Sequence, residues 1–168
     1  LIAEWAIYTQ GFRFTDTPLL WRDKQGKSQN IPDNVNAFSR SFSTTIERLL
    51  DANKKIFVIY PVPEFYQHSY DWLGEQTLRG ASVDISSAIS SLPTISKNDY
   101  NKRNDEVFNV FDNHNENVTF FEVYDLFCSE EECKQYNKDM VLLYSDSNHV
   151  NYYGAKLIID TFGSAFIN

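Results

Sequence analysis

The sequence has no stretch of about 18 consecutive apolar residues, the length at which a membrane-spanning helix is expected. No transmembrane segment is therefore predicted within these 168 residues. Basic side chains are also few, since 15 lysines and arginines stand against 23 aspartates and glutamates and give a formal net charge of -8. Nucleic acids and anionic lipid surfaces both recruit basic side chains, so we predict no nucleic-acid partner.

Glycine is scarce as well, and the six glycines form neither a phosphate-binding loop nor a Gly-x-Ser-x-Gly nucleophile motif. The stretch around Ser147 superficially resembles a nucleophile motif, but no glycine precedes it and no independent base would serve it. His68 and His114 lie in predicted loops and are interpreted as solvated. No His or Cys pair stands at metal-ligand spacing, so we expect no metal site and no cofactor.

The sequence contains two cysteines, Cys128 and Cys133, separated by one serine and three glutamates. A short acidic loop between two cysteines favours a disulfide, which would indicate an oxidising compartment. Two unrelated buried thiols remain the alternative at this point.

The patterning predicts a single α/β domain over residues 1–168, because strand-like and helix-like stretches alternate and no linker interrupts them. Continuous apolar runs of strand length indicate strands covered on both faces, as in a parallel sheet between helices. The predicted strands are 1–8, 56–60, 118–123 and a short apolar piece at 140–144. The predicted helices run from Pro32 to near Asn53, from Ser96 to Asp112 and over 155–166, and residues 65–93 are predicted as loops with short helical turns.

Asp146 and His149 form the most informative pair of side chains. They stand three residues apart, after a strand-like piece and just before the final amphipathic helix. This spacing lets a carboxylate orient an imidazole that acts as a general base. The stretch Pro61–Glu64 follows another predicted strand, and open α/β sheets bind ligands at the carboxyl ends of their strands. Taken alone, the pair is equally compatible with a helix-capping aspartate followed by a surface histidine.

Several stretches, in this order, resemble the SGNH (GDSL-like) hydrolase domain of the type fused to acyltransferase-3 membrane proteins. They are Trp5–Tyr8, Val58–Glu64, Val123–Cys128 with Cys133, and Leu143–Ala155. The resemblance implies a three-layer αβα sandwich with a mostly parallel, flavodoxin-like sheet. It also implies a Ser-His-Asp triad in which His149 is the general base and Asp146 orients it.

The family's nucleophilic serine, in a Gly-Asp-Ser motif, has no counterpart in this sequence. If residues 1–8 correspond to the family's third strand, the first strands and the serine would lie upstream of Leu1. The chain would then be the C-terminal portion of its domain and inactive alone. The resemblance and the sheet-edge argument give Trp5, Pro63, Glu64 and Asn148 as candidate substrate-binding residues.

The resemblance further implies an activity outside the cytoplasm, at the periplasmic or extracellular face of the membrane. The implied reaction moves an acyl group, usually acetyl, from an acyl donor to a hydroxyl of a cell-envelope or secreted glycan. The implied partner is a membrane acyltransferase domain in the same polypeptide. Ordinary packing is the preferred interpretation of the aromatic residues Phe65, Tyr66, Tyr70 and Trp72, and the alternative is that they offer stacking faces for a sugar. An esterase, or a non-catalytic glycan-binding or scaffolding module, is the alternative function.

Overall fold

The structure is a computed structural model that describes residues 9–10, 22–23, 26–27, 31–78, 84–114, 116 and 118–167. The predicted strand at residues 1–8, and with it Trp5, lies outside the described residues.

The described part of the chain contains helices and short strands. The helices are α1 (Ile31–Asp51), α2 (Ser69–Leu78), α3 (Ile85–Ser90), α4 (Lys97–Asp112) and α5 (Tyr152–Ile167), with a 3₁₀ turn at Val123–Leu126. The strands are β1 (Arg22–Asp23), β2 (Gly26–Lys27), β3 (Phe57–Ile59), β4 (Ile95–Ser96), β5 (Thr119–Phe121) and β6 (Glu132–Cys133). Strands β3 and β5 pair in parallel, whereas β1 pairs with β2 and β4 with β6 in antiparallel fashion. The predicted α/β class with a parallel sheet is confirmed.

The described residues fall into two compact units. The first is formed by the described residues within Leu1–Pro61 and Asn101–Glu122, and the second by those within Val62–Tyr100 and Val123–Asn168. That the chain forms one domain stays a prediction.

The first unit buries side chains of α1, of α4 and of the parallel strand pair. Phe38, Phe42 and Ile46 recur at helical spacing on α1 and are buried, as the apolar stripe predicted. The ring of Phe42 packs against Phe111 of α4 at 5.1 Å. Burying each such side chain contributes about 1.5–3 kcal/mol to the stability of the fold, so α1 is held in place by its apolar face. The helix ends where Asn53 adopts a left-handed conformation with φ of 53°, a common helix stop.

Parallel pairing of β3 and β5 follows from their apolar sequences and the long helical connection between them. Val58 lies opposite Phe120, and the ladder gains one hydrogen bond beyond each end of the named strands. These are Thr119 N–H to the carbonyl of Ile56 at 3.0 Å and Tyr60 N–H to the carbonyl of Phe121 at 2.9 Å. The strands predicted at 56–60 and 118–123 are therefore present, although each is shorter than its apolar run.

The second unit contains the candidate catalytic residues and packs around a separate set of buried side chains. Its largest fully buried residues include Phe65, Tyr100, Gln135, Leu143 and Tyr144. The sequence predicted loops with short helical turns over 65–93, and the structure has the ten-residue helix α2 and the six-residue helix α3 there. Asp84 caps α3 by accepting a hydrogen bond from Ser87 N–H at 2.8 Å.

The apolar piece 140–144 does not form the expected strand. Only isolated bridges occur in it, from Leu142 to Tyr136 and from Tyr144 to Val150. Met140, the first residue of this stretch, has a φ of 58°, which lies outside the extended region. Within the described ranges, no helix is both long and apolar enough to cross a membrane.

Candidate functional site

The side chains of Asp146 and His149 contact each other directly. Oδ2 of Asp146 lies 2.7 Å from Nδ1 of His149. Because a carboxylate accepts, the Nδ1 atom carries the proton in this pair, and a neutral ring then has its basic lone pair on Nε2. The His149 side chain is 63% exposed and that of Asp146 is 41% exposed, so the pair lies at the surface, where a substrate can reach it.

The second oxygen of Asp146 fixes the backbone of the same loop. Oδ1 accepts from the N–H groups of Asn148 at 2.9 Å and His149 at 2.7 Å. Partial burial acts to raise the pKa of the Asp146 carboxyl, but these two N–H groups and the His149 ring outweigh it and lower the pKa below its ordinary value. Asp146 is therefore a carboxylate at neutral pH, the state required to orient a histidine.

Ser145 closes the loop at its base. Its backbone N–H donates to the carbonyl of His149 at 2.8 Å, and its hydroxyl donates to the same oxygen at 3.1 Å. The Ser145 hydroxyl is thus used in the loop itself.

Asn151 attaches the end of the loop to helix α5. Its Oδ1 accepts from the N–H groups of Tyr153 at 2.8 Å and Gly154 at 3.1 Å, as an N-cap does. Its Nδ2 donates to the carbonyls of Leu142 at 2.9 Å and Tyr144 at 3.3 Å. One side chain therefore joins the helix start to the stretch that precedes the loop.

Segment 65–70 contacts the loop from another part of the second unit. The N–H of Phe65 donates to the carbonyl of Ser147 at 2.7 Å. Nε2 of His68 lies 2.6 Å from the carbonyl of Ser145. His68 lies in a loop, as predicted, but its ring is half-buried and bonds the backbone next to Asp146, so it is not simply solvated. His114 is not simply solvated either, since its Nε2 lies 3.0 Å from Ser43 Oγ.

The remaining candidate binding residues differ in position. Trp5 lies outside the described residues. Pro63 is buried, Glu64 and Asn148 are half-buried, and the charge of Glu64 acts on Tyr144. A binding role for these four residues stays a prediction.

The aromatic stacking hypothesis fails for Phe65, which is fully buried and packs edge-on against Tyr144 at 5.0 Å. Tyr66 and Tyr70 are exposed, and Trp72 donates its Nε1–H to Ser91 Oγ at 3.2 Å.

Cys128 and Cys133 form a disulfide, as predicted. The bond joins the segment that follows the 3₁₀ turn to β6 in the second unit, and Cys133 is fully buried. No group of three or more His, Cys, Asp or Glu side chains suited to a metal ion occurs among the residues for which positions are described.

Neither Asn151 nor His68 was recognised from the sequence as part of the site. Asn151 had a readable signal, because an asparagine directly before an apolar helix is a favoured N-cap. His68 had none, since its partner Ser145 is 77 residues away in the chain.

A family model described as the SGNH domain fused to AT3 domains matches residues 1–164. The chain belongs to this family. No curated protein is significantly similar to the SGNH domain described here. Its structure is similar to the periplasmic domain of a lipopolysaccharide acetyltransferase from Salmonella ser. Paratyphi A, with a TM-score of 0.54 and 15% identity. The similarity covers 88% of this chain and 54% of that structure, so the chain spans about half of that domain's length. It shows the α/β fold of an SGNH-type domain.

Proposed function

We propose that this SGNH domain belongs to an O-acyltransferase that passes an acyl group, acetyl in the first instance, to a hydroxyl of a cell-envelope or secreted glycan. The observation that carries the proposal is the 2.7 Å contact between Asp146 Oδ2 and His149 Nδ1. Fusion to AT3 domains, named in the family description, supports an acyl donor delivered by a membrane domain of the same polypeptide.

In the proposed reaction His149 is the general base and Asp146 orients it. Nε2 of His149 removes the proton of a serine hydroxyl that these 168 residues do not supply in a nucleophile motif. The serine oxygen attacks the acyl carbonyl, and the donor's leaving group departs with the proton from Nε2. His149 then deprotonates the acceptor hydroxyl, which attacks the seryl ester and releases the serine with its proton restored.

We place the domain outside the cytoplasm, at the periplasmic or extracellular face of the membrane. The disulfide between Cys128 and Cys133 supports an oxidising compartment. The net charge of -8 suits a neutral sugar acceptor better than a polyanionic one.

The test uses the full-length polypeptide that contains this domain and an aryl acetate ester as donor. His149→Ala should lower the rate about 10²- to 10⁴-fold, the usual contribution of a general base, and Asp146→Ala should cause a smaller but clear loss. His114→Ala is the matched control, because His114 has its own hydrogen bond to Ser43 and should leave the rate unchanged. Full activity of His149→Ala would show that the base is another residue.

The nearest alternative is an esterase, which the exposure of His149 favours, because water can reach a ring that is 63% exposed. Acetate release and acetyl-sugar formation should be measured in the same reaction, with and without an added glycan. Acetyl transfer that competes with hydrolysis supports the transferase. Acetate release that is unaffected by any glycan supports the esterase.

A further inference from the structure

His68 makes two hydrogen bonds that together define its protonation. Its Nδ1 accepts from the backbone N–H of Tyr70 at 3.2 Å, and its Nε2 lies 2.6 Å from the carbonyl of Ser145. A carbonyl can only accept, so Nε2 must donate, and Nδ1 must have a free lone pair for Tyr70. The two contacts are satisfied together only by the neutral tautomer with the proton on Nε2.

The Asp146–His149 loop has little packing of its own to hold it. His149 is 63% exposed and Asp146 is 41% exposed, so the core does not fix their side chains. Catalytic geometry must be held within about 0.5 Å, which on a surface loop depends on hydrogen bonds from the surrounding structure. The loop receives such bonds on both sides of Asp146, at the carbonyls of Ser145 and Ser147.

The contact at Ser147 comes from a backbone N–H, that of Phe65, and any residue except proline would supply it. The contact at Ser145 depends on the side chain at position 68. Its length of 2.6 Å indicates a short hydrogen bond. Ser145 also holds the carbonyl of His149 through its own N–H and hydroxyl, so a shift of Ser145 moves both ends of the loop.

We propose that His68 is a positioning residue for the candidate base. Its neutral ring donates a hydrogen bond to the carbonyl of Ser145 and thereby holds Asp146 and His149 in their paired geometry. In this role His68 acts through its hydrogen bond to Ser145 and not on the reacting atoms. Its effect on catalysis rests on the proposed function, whereas its effect on the geometry of the pair does not.

Three substitutions separate the two hydrogen bonds of His68. In His68→Gln the amide nitrogen reaches the place of Nε2 and can still donate to Ser145. In His68→Asn the shorter side chain reaches only the place of Nδ1, so it can accept from Tyr70 but not donate to Ser145. His68→Ala removes both bonds. His114→Ala is the control, because its ring bonds Ser43 in the first unit.

The first readout is the nuclear magnetic resonance spectrum of the histidine rings. The chain has three histidines, so single substitutions assign the ring resonances. In the unsubstituted protein the ¹⁵N shifts of His68 should report a proton on Nε2. The ring shifts of His149 should stay unchanged in His68→Gln and His114→Ala. They should move or broaden in His68→Asn and His68→Ala. Unchanged His149 shifts in all four variants would overturn the proposal.

The second readout is the rate of the full-length polypeptide on an aryl acetate. His68→Asn and His68→Ala should lower kcat by about 10- to 10²-fold with little change in KM, and His68→Gln should restore most of it. If His68→Ala does not fold, the comparison of Gln with Asn decides, and equal kcat in these two variants would overturn the proposal.

The two proposals fail in different ways. If His149→Ala keeps its activity, the proposed function fails. The ring shifts of His149 in the His68 variants still test whether His68 positions the pair. If His149→Ala is inactive while every His68 variant keeps the wild-type His149 ring shifts and kcat, only the positioning role of His68 is refuted.

Discussion

Asp146 binds His149 twice, through Oδ2 to the ring Nδ1 at 2.7 Å and through Oδ1 to the backbone N–H at 2.7 Å. The ring and the backbone that carries it are therefore oriented by one carboxylate. A histidine three residues later is the position at which both contacts are possible, because the intervening turn brings its N–H back to the aspartate. The spacing seen in the sequence has this physical reason.

The pKa of Asp146 predicts how Asp146→Asn affects stability at different pH values. The folded-state pKa is lowered, so the carboxylate stabilises the fold at pH values above the unfolded-state pKa of about 3.9, and this contribution is lost as the pH falls through the folded-state pKa. In urea unfolding, the stability difference between wild type and Asp146→Asn should be constant above about pH 5 and shrink below pH 4. Asp139→Asn, at an exposed carboxylate, is the control. A difference that does not vary between pH 7 and about pH 3 would contradict the prediction.

Gly154 is predicted to tolerate no side chain. A Cβ at this position would lie 2.3 Å from the backbone carbonyl of Leu143 and 2.9 Å from Val150 Cβ. Gly154→Ala should lower the free energy of unfolding by about 1–3 kcal/mol, because backbone must shift to make room. Gly74→Ala is the matched control in helix α2, since nothing lies within 4 Å of its Cβ, and it should stabilise by about 0.5–1 kcal/mol. Equal effects of the two substitutions in thermal unfolding would refute the clash.

Asn151 is predicted to contribute both a helix cap and a connection to the stretch before the loop. Asn151→Ala should lower the free energy of unfolding by about 2–4 kcal/mol, the sum of a cap worth about 1 and two hydrogen bonds worth about 0.5–1.5 each. Asn151→Ser keeps a cap oxygen but cannot reach the carbonyls of Leu142 and Tyr144, so it should recover about 1 kcal/mol of the loss. If Ser and Ala have the same stability by chemical denaturation, the capping role is wrong.

The sequence predicted those parts of the fold that depend on local periodicity. The stripe on α1 needed only the spacing of Phe38, Phe42 and Ile46, and the structure buries all three. The stretch Met140–Tyr144 was mispredicted because its apolar character does not reveal that it pairs only through isolated bridges, from Leu142 to Tyr136 and from Tyr144 to Val150. Its carbonyls at Leu142 and Tyr144 bond the side chain of Asn151.

In the candidate site, too, the local contact could be predicted from the sequence and the long-range contact could not. The pairing of Asp146 with His149 is local and could be predicted from three residues' separation. The hydrogen bond from His68 to Ser145 joins residues 77 positions apart and depends on how segment 65–70 packs, which no local sequence pattern encodes. Phe65 illustrates the converse, since its neighbours suggested a sugar-stacking surface, whereas burial against Tyr144 places it in the core.

Reduction of the Cys128–Cys133 disulfide should destabilise the protein modestly. The bond closes a loop with a sequence separation of 5, and so short a loop limits the entropic stabilisation to about 2 kcal/mol. The expected result is a lower midpoint of chemical denaturation in the presence of a reductant. The double variant Cys128→Ser with Cys133→Ser is the control, because its midpoint should not respond to the reductant. A midpoint for the unsubstituted protein that is the same with and without reductant would contradict the prediction.

Tyr144 should be replaceable by phenylalanine with a gain in stability. Its side chain is fully buried, and its hydroxyl has no hydrogen-bond partner among the described residues. Burial, followed by the charge of Glu64, raises the pKa of this hydroxyl well above its ordinary value, so the group stays neutral. A buried hydroxyl without a partner costs about 1–3 kcal/mol, whereas the ring itself packs against Phe65 and Phe127 and is kept by the substitution.

Tyr144→Phe should therefore raise the free energy of unfolding by about 1 kcal/mol or more, measured by urea denaturation at neutral pH. Tyr66→Phe, at a ring that is 62% exposed, is the matched control and should change it by less than about 0.5 kcal/mol. A loss of stability in Tyr144→Phe would mean that the hydroxyl has a partner, such as a bound water. Because Tyr144 directly precedes Ser145, that partner would then also support the loop that holds Asp146 and His149.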